Sequence, residues 1–414
     1  MKVRLTIEDD SGRTYHGEVV LDSRGSAKKV EQKQPDTKHT SRDPKGPSLP
    51  PNKKSGPRSS DKVTLKTIAT HLGLTAGTVS AALNNSPASR SIPEQTKNRI
   101  IVAAAELNYR PNFFARTLRL KRTYTLGVIA EEIGDAYGAT VINGIEEFLK
   151  KNNYFFLTVI HRHDQKLLHT YAQLLVTRGV EGFITMDTSI DEGLGLPTVA
   201  VAGHKHVEGV TNIVLDHKRA ARLALSHLQQ LGHENIAFIK GQTISSDSHA
   251  RWSAICEVAQ ELGIRIRPEL TIQLEGTDST PAIGYPFAKQ LLARKIPFTA
   301  LFAYNDISAI GSMWAIQEAG LRVPEDISVV GFDDIPGAAF CEPGLTTVRQ
   351  PLIRMGQIAA QTVVDQIEGR GEYVPEIAIE PELAVRKSTG PAPARYLRSV
   401  AGGTRHLPEI QPAD

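Results

Sequence analysis

Residues 63–84 read VTLKTIATHLGLTAGTVSAALN. Thr64 can cap a helix in which Leu65, Ile68, Ala69 and Leu72 recur at i, i+3, i+4 and i+7, a spacing that gathers them on one buried face. Gly73 breaks that helix, Leu74 fills the corner, and Thr75 stands where a second helix would be capped. In the second helix Val79, Ala82 and Leu83 point inward, leaving Ala76, Gly77, Ser80 and Ala81 outward. Two short helices joined by a glycine-containing turn form a helix-turn-helix, whose second helix can enter a DNA major groove. Pro93 and Glu94 open a third helix with Ile100, Ala104 and Leu107 at core spacing.

The same pattern would serve a small helical bundle with no DNA partner, and charge separates the two readings. From Lys62 to Arg122 the sequence holds ten Lys or Arg against two acids, a net of +8. Residues 1–61 carry +4 and residues 123–414 carry −9, so the formal total of +3 hides a cationic head on an anionic body. That asymmetry suits a phosphate-binding module joined to a second module of another kind.

The run 63–84, then AAAELNYRPN at 103–112, then ARTLRLKRTYTLGVI at 115–129, resembles the lactose-repressor (LacI/GalR) family of bacterial transcription factors. The helix-turn-helix, the YRPN junction and the hinge occur in the family's order and spacing, and the resemblance continues to about Thr389. It implies a DNA-binding headpiece over residues 62–110, a hinge helix over 111–122 and a two-lobed ligand-sensing and dimerisation domain over 123–389. DNA contacts are then expected from Thr64, Thr75, Ala76, Gly77, Thr78, Ser80, Ala81, Asn84, Tyr109, Asn112, Ala115, Arg116 and Leu118. The outward residues Ala76, Gly77 and Ala81 are small, so direct readout leans on Thr75, Thr78, Ser80 and Asn84 with close backbone approach. In the hinge, Ala115 packs and Leu118 wedges between central base pairs of the minor groove, while Arg116, Arg119, Lys121 and Arg122 meet phosphates.

The 414 residues can bury a sizeable core, and 40% apolar with 6% aromatic residues is ordinary globular composition. Two cysteines, Cys256 and Cys341, give neither a disulfide framework nor metal-ligand spacing, which suits a reducing compartment. MKVRLTIEDD lacks the apolar core of a signal peptide, and no run reaches the ~18 apolar residues of a membrane span. The expected location is the cytoplasm. Residues 1–21 alternate Val3, Leu5, Ile7 and later Val19, Leu21 around Asp-Asp-Ser-Gly, a β-hairpin signature. Residues 22–61, rich in Lys, Pro, Ser and Asp, read as a disordered linker, and 390–414 as a disordered tail. Family members normally start near the helix-turn-helix, so this N-terminal extension departs from their pattern; composition favours a passive tail.

From Thr125 onward apolar strand-like runs alternate with amphipathic helical patterns: 125–130, 154–160, 180–186, 197–202, 234–241, 300–305 and 327–332 for strands, 224–233 and 355–369 among the helices. Such runs imply α/β architecture with parallel sheets covered on both faces. Some eight units over about 260 residues exceed one small sheet, so two doubly wound lobes facing a cleft are expected, similar to periplasmic binding proteins. Strand ends carry Glu131-Glu132, His161-Arg162-His163-Asp164, His204 and His206, Asn305-Asp306 and Asp333-Asp334. By resemblance Arg251, Asn305 and Asp333 are effector contacts, and Glu131 and His161 join them at the strand ends. Ala202 and Met186 stand where sugar-binding members often place polar groups, so a sugar or another polar metabolite stays open. No histidine spacing supports a metal, and no cofactor is expected.

Two rival functions would leave other marks on the sequence. An enzyme would need an apparatus, and no G-x-S-x-G, G-x-x-x-x-G-K-[ST] or G-x-G-x-x-G after the first strand of the α/β region occurs. A transport solute-binding protein shares the two-lobed fold but has no use for a cationic helix-turn-helix. The reading is a homodimeric DNA-binding transcriptional regulator of repressor type, partnered by double-stranded operator DNA and a small-molecule effector, with no membrane role. Whether the effector releases or recruits the protein stays open.

Overall fold

The structure is a computed structural model that describes residues 2–8, 14–21 and 27–32 as backbone, and in full 63–84, 86–110, 117–118, 120–134, 136–203, 205–277 and 279–393. The chain divides between Arg110 and Pro111 into two compact units.

In the first unit, β1 (Lys2–Glu8), β2 (Thr14–Leu21) and β3 (Ala27–Gln32) form an antiparallel meander in that order. Val3 lies opposite Val19, and Val19 opposite Val30. The hairpin expected from alternation therefore has a third strand, inside the stretch expected as disordered linker. Composition missed it because AKKVEQ has one large apolar residue, whereas the free edge of an eight-residue strand offers a row of backbone groups to pair. The rest of that stretch lies outside the described residues.

Three helices follow: α1 (Leu65–Leu72), α2 (Ala76–Leu83) and α3 (Glu94–Glu106). Thr64 caps α1 by accepting from Thr67 N at 3.2 Å, and its own N–H donates to Thr67 Oγ1 at 3.1 Å. Gly73 ends α1 in the left-handed region, φ 68°, where a side chain would be strained. Ile68, Ala69, Val79, Ile100, Ala103 and Ala104 form the core, closed by Leu65, Leu72, Leu74, Ala82, Leu83, Leu107 and Tyr109. Between α2 and α3 a 3-10 turn spans Pro87–Ser91.

The second unit alternates strands and helices: β4 (Thr125–Ala130), α4 (Ala136–Lys151), β5 (Phe155–Ile160), α5 (Gln165–Thr177), β6 (Phe183–Met186), β7 (Thr198–Val201) and β8 (Val210–Leu215). Then come α6 (His217–Gln230), β9 (Ile236–Lys240), α7 (Ser246–Glu261), β10 (Thr271–Gln273), α8 (Tyr285–Ala293), β11 (Ala300–Phe302) and α9 (Asp306–Glu318). The chain continues through β12 (Ser328–Asp333), α10 (Pro336–Phe340), β13 (Thr346–Arg349), α11 (Leu352–Glu368), β14 (Glu376–Ile379) and β15 (Glu382–Ala384).

Two six-stranded sheets result. The first lobe is parallel throughout, in the order β14-β8-β7-β6-β4-β5. The second, β10-β9-β11-β12-β13-β15, is parallel except for β15, antiparallel to β13. The chain crosses between lobes after β8, β13 and β14, so no lobe is a continuous segment. On returning to the first lobe α11 crosses α4 so closely that a Cβ on Gly356 would lie 2.2 Å from Val141 O; only glycine fits. Beyond β15, Ala392 N donates to Leu231 O at 2.8 Å and the Gly390 carbonyl sits 3.0 Å from His233 Nε2. Residues 390–393 are thus tied to the second lobe, and the expected tail cannot begin at 390.

Candidate DNA interface and effector cleft

At the start of α2, Thr75 Oγ1 accepts from Thr78 N at 3.1 Å and shares a hydrogen bond with Thr78 Oγ1 at 2.9 Å. Thr75, Ala76 and Gly77 are exposed, and Thr78 and Ala81 are half-buried. The first turn therefore presents unpaired backbone N–H groups behind almost no side-chain bulk, a surface suited to close approach by an anionic backbone. Thr64, at the start of α1, is exposed, and Tyr109 is half-buried against the headpiece core.

Ser80, expected outward, is 7% exposed. It flanks the apolar stripe of α2, a helix against which the 3-10 turn packs. Asn84 is exposed, and its Nδ2 donates to Ser80 O at 2.7 Å and reaches Ser80 Oγ at 3.3 Å, closing the end of α2. Asn112, Ala115 and Arg116 lie outside the described residues, whereas Leu118 is 81% exposed. Arg122, expected at phosphate, instead bonds Glu181 at 2.9 Å and Tyr154 Oη at 2.6 Å, with its guanidinium 4.7 Å from the Tyr124 ring centre. A carboxylate one strand away outcompetes solvent for it.

Between the two lobes lies a cavity of about 380 Å³. Glu131, Glu132, Arg162, His163 and Asp187 line it from the first lobe; Gln242, Ile244, Ser245, Thr277, Ser279, Ile283, Tyr304, Asn305 and Ile307 line it from the second. Asp187, one residue beyond β6, reaches across: Ser246 Oγ lies 2.7 Å and Ser245 Oγ 3.3 Å from its Oδ1. Burial, then the Asp247 charge, raises the Asp187 pKa against the opposing pull of those hydroxyls and Arg251. Ser246 Oγ is also 2.5 Å from Ala202 O, a second contact between the lobes.

Of the expected effector residues, Glu131 and Asn305 are on the cavity wall. Glu131 is buried against His163 Nδ1. Asn305 caps α9, its Oδ1 accepting from Ser308 N at 2.9 Å, so the amide NH₂ is what it can offer a ligand. Arg251 is 4% exposed, is not among the residues lining that cavity, and adjoins a recess of about 10 Å³. Its Nη1 donates to Tyr304 O at 2.6 Å, its Nη2 pairs with Asp247, and Asp333 Oδ1 stands 3.9 Å away. The guanidinium is stacked between the rings of Tyr304 and Phe332, 4.5 and 3.7 Å from their centres. Burial opposes its charge, but Asp247, Tyr304 and Asp333 outweigh burial and raise its pKa. Asp333 accepts from Gln350 Nε2 at 2.7 Å and does not line the cavity.

His161 is a correction. It is 2% exposed, its Nε2 lies 3.0 Å from Thr188 Oγ1, burial lowers its pKa, and it does not line the cavity. The backbone enters the left-handed region at Arg162 and His163, φ 49° and 63°, which breaks strand alternation and delivers His163 to the cavity instead. Asp187, Ser245, Ser246 and Tyr304 were missed. Asp187 could have been found by carrying the strand-end rule one residue past Met186. Among the described residues no group of three or more His, Cys, Asp or Glu is placed to hold a metal, and no helix is long and apolar enough to cross a membrane.

Comparison with known proteins agrees with this geometry. Residues 64–112 match the model of bacterial regulatory proteins, lacI family, and residues 225–389 match a periplasmic binding protein-like domain. The chain is 31% identical over 344 residues to the HTH-type transcriptional repressor PurR of Erwinia tasmaniensis, covering 81% of this chain and 99% of that protein. It is 31% identical over 335 residues to PurR of Haemophilus influenzae, covering 78% and 98%. The structure of the lac repressor dimer bound to operator and an anti-inducer superposes with a TM-score of 0.69 at 25% identity, covering 80% of this chain and all of that one. The headpiece, the two-lobed cleft and these relatives together identify the chain as a member of the LacI family of bacterial regulatory proteins, a DNA-binding transcriptional regulator with a ligand-binding sensor domain.

Proposed function

We propose that two copies of the chain bind one operator, each setting the first turn of α2 in a major groove with Thr75, Ala76, Gly77, Thr78 and Ala81 nearest the bases. Residues 111–122 act as the hinge at the minor groove, where Asn112, Ala115 and Arg116 position the backbone and Leu118 enters the base stack. A polar metabolite in the cleft, contacted by Glu131 and Asn305 and backed by Arg251 and Asp333, changes the angle between lobes and so the hinge spacing. The protein acts in the cytoplasm as a regulator rather than an enzyme. Exposed Trp314 and Phe340 on α9 and α10, at 58% and 88%, and Phe155 at the β5 edge, at 64%, support a second copy as the partner that covers them.

The observation that carries this reading is the bare, exposed start of α2 on a segment of net charge +8. Gly77→Glu tests it. A Cβ there would meet nothing nearer than Thr75 Oγ1 at 3.7 Å, so folding is preserved, while a carboxylate is placed where phosphate or base edges must come. Operator affinity is expected to fall by about a hundredfold or more, near 2.7 kcal/mol, with an unchanged melting temperature. Affinity within threefold of wild type removes α2 from the groove.

A further inference from the structure

Among the described residues the cleft wall holds more carboxylates than cations. On the first-lobe wall Glu131, Glu132 and Asp187 face one guanidinium, that of Arg162. Behind the second-lobe wall Asp247 and Asp333 flank the Arg251 guanidinium, and Asp247 also meets His217 Nε2 at 2.9 Å. His163, which touches Glu131, does not restore the balance, because burial lowers its pKa and favours the neutral ring. Glu132 is occupied locally, accepting from Ile133 N at 2.9 Å and Gly134 N at 3.0 Å, and Asp187 is held by two serine hydroxyls. The Glu131 side chain is 8% exposed and borders the cavity, and among the described residues the ion-pairing group against it is the His163 imidazole. A carboxylate so desolvated gains most from a positive group delivered through the cavity, and the same field repels an anion.

The rest of the lining is neutral, with polar groups set among Ile244, Ile283 and Ile307. The hydroxyls of Ser245, Thr277 and Ser279 and the amides of Gln242 and Asn305 can pair with ligand hydroxyls, and a volume of about 380 Å³ limits the ligand to a small molecule. We propose that the effector is a small hydroxylated amine whose ammonium group binds against Glu131. This rests on the cleft being the effector site.

Calorimetry on the full chain would compare two matched sets at pH 7.5: glucosamine, glucose and glucuronate, then 2-amino-1,3-propanediol, glycerol and glycerate. In at least one set the amine is expected to bind about tenfold or more tighter than the neutral member, 1.4 kcal/mol, with no binding by the acid. Glu131→Gln, nearly isosteric, should bring the amine within about threefold of the neutral compound, and added salt should weaken the amine alone in wild type. Neutral or acidic members binding as tightly as the amine in every set that binds overturn the charge assignment; if Asn305→Ala then abolishes that binding, the cleft reading itself survives. Failure of both amines to bind overturns the proposal.

Discussion

Asp187, at the end of a strand in one lobe, accepts a hydrogen bond from Ser246 in the other at 2.7 Å. Ser245 adds a weaker contact to the same oxygen at 3.3 Å. Hydrogen bonds to a charged group are worth about 1.5–3 kcal/mol net, enough to bias lobe closure and small enough for a ligand to override. Asp187→Ala should therefore shift the population toward open lobes. Small-angle scattering would register a larger radius of gyration for the variant, and an identical profile would mean the latch does not set closure.

Arg251 is expected to matter for stability before it matters for ligand. Removing it leaves Asp247 and Asp333 facing each other in a buried site, and loss of one partner from such a cluster costs about 3–5 kcal/mol. Arg251→Ala should lower the denaturant midpoint of the sensor accordingly, and Asp247→Ala in the same background should restore part of the loss. A change below about 1 kcal/mol would contradict the buried network.

Much of this was legible in residue pattern. Thr64, Gly73 and Thr75 punctuate the headpiece helices where their chemistry demands, and β4 begins and ends where the TLGVIA run does. Short or polar strands were not legible: Thr346–Arg349 and Glu382–Ala384 owe their pairing to neighbours distant in sequence. In the site, strand ends pointed to Glu131 and Asn305 because doubly wound sheets place ligands there. Periodicity could not show that Tyr304 stacks on Arg251 and screens it from the cavity, or that left-handed backbone exchanges His161 for His163. Ser80 failed for a related reason, since a residue flanking the apolar stripe is buried or exposed according to what the next turn covers.

Asp306 gives the sensor a pH signature. Burial raises its pKa to about 7, although Thr347 Oγ1 at 2.5 Å and Ile335 N at 2.8 Å donate to it. Unfolded aspartate titrates near pH ~4, so between about 4 and about 7 the folded state keeps a proton the unfolded state has lost. Stability from this group falls as pH rises through that window. The stability of wild type relative to Asp306→Asn should decline from pH 4 to 7 in urea titrations; a rise would reverse the assignment.

Leu118 tests the hinge. If its exposed side chain enters the base stack, Leu118→Ala should remove most specific affinity and most of the DNA bend. Salt-sensitive nonspecific binding should persist through the basic residues around it. Circular-permutation gel shifts at one salt concentration measure both, and wild-type bending by the variant would leave Leu118 a linker residue.

Paired headpieces should recognise operator DNA as a two-fold symmetric pair. Selecting bound duplexes from a random pool with the full chain, at fixed salt, tests it most directly. A pseudo-palindrome should be enriched, two half-sites related by two-fold symmetry about a central step that the hinge opens. Enrichment of an asymmetric single site, or of no sequence at all, would contradict it.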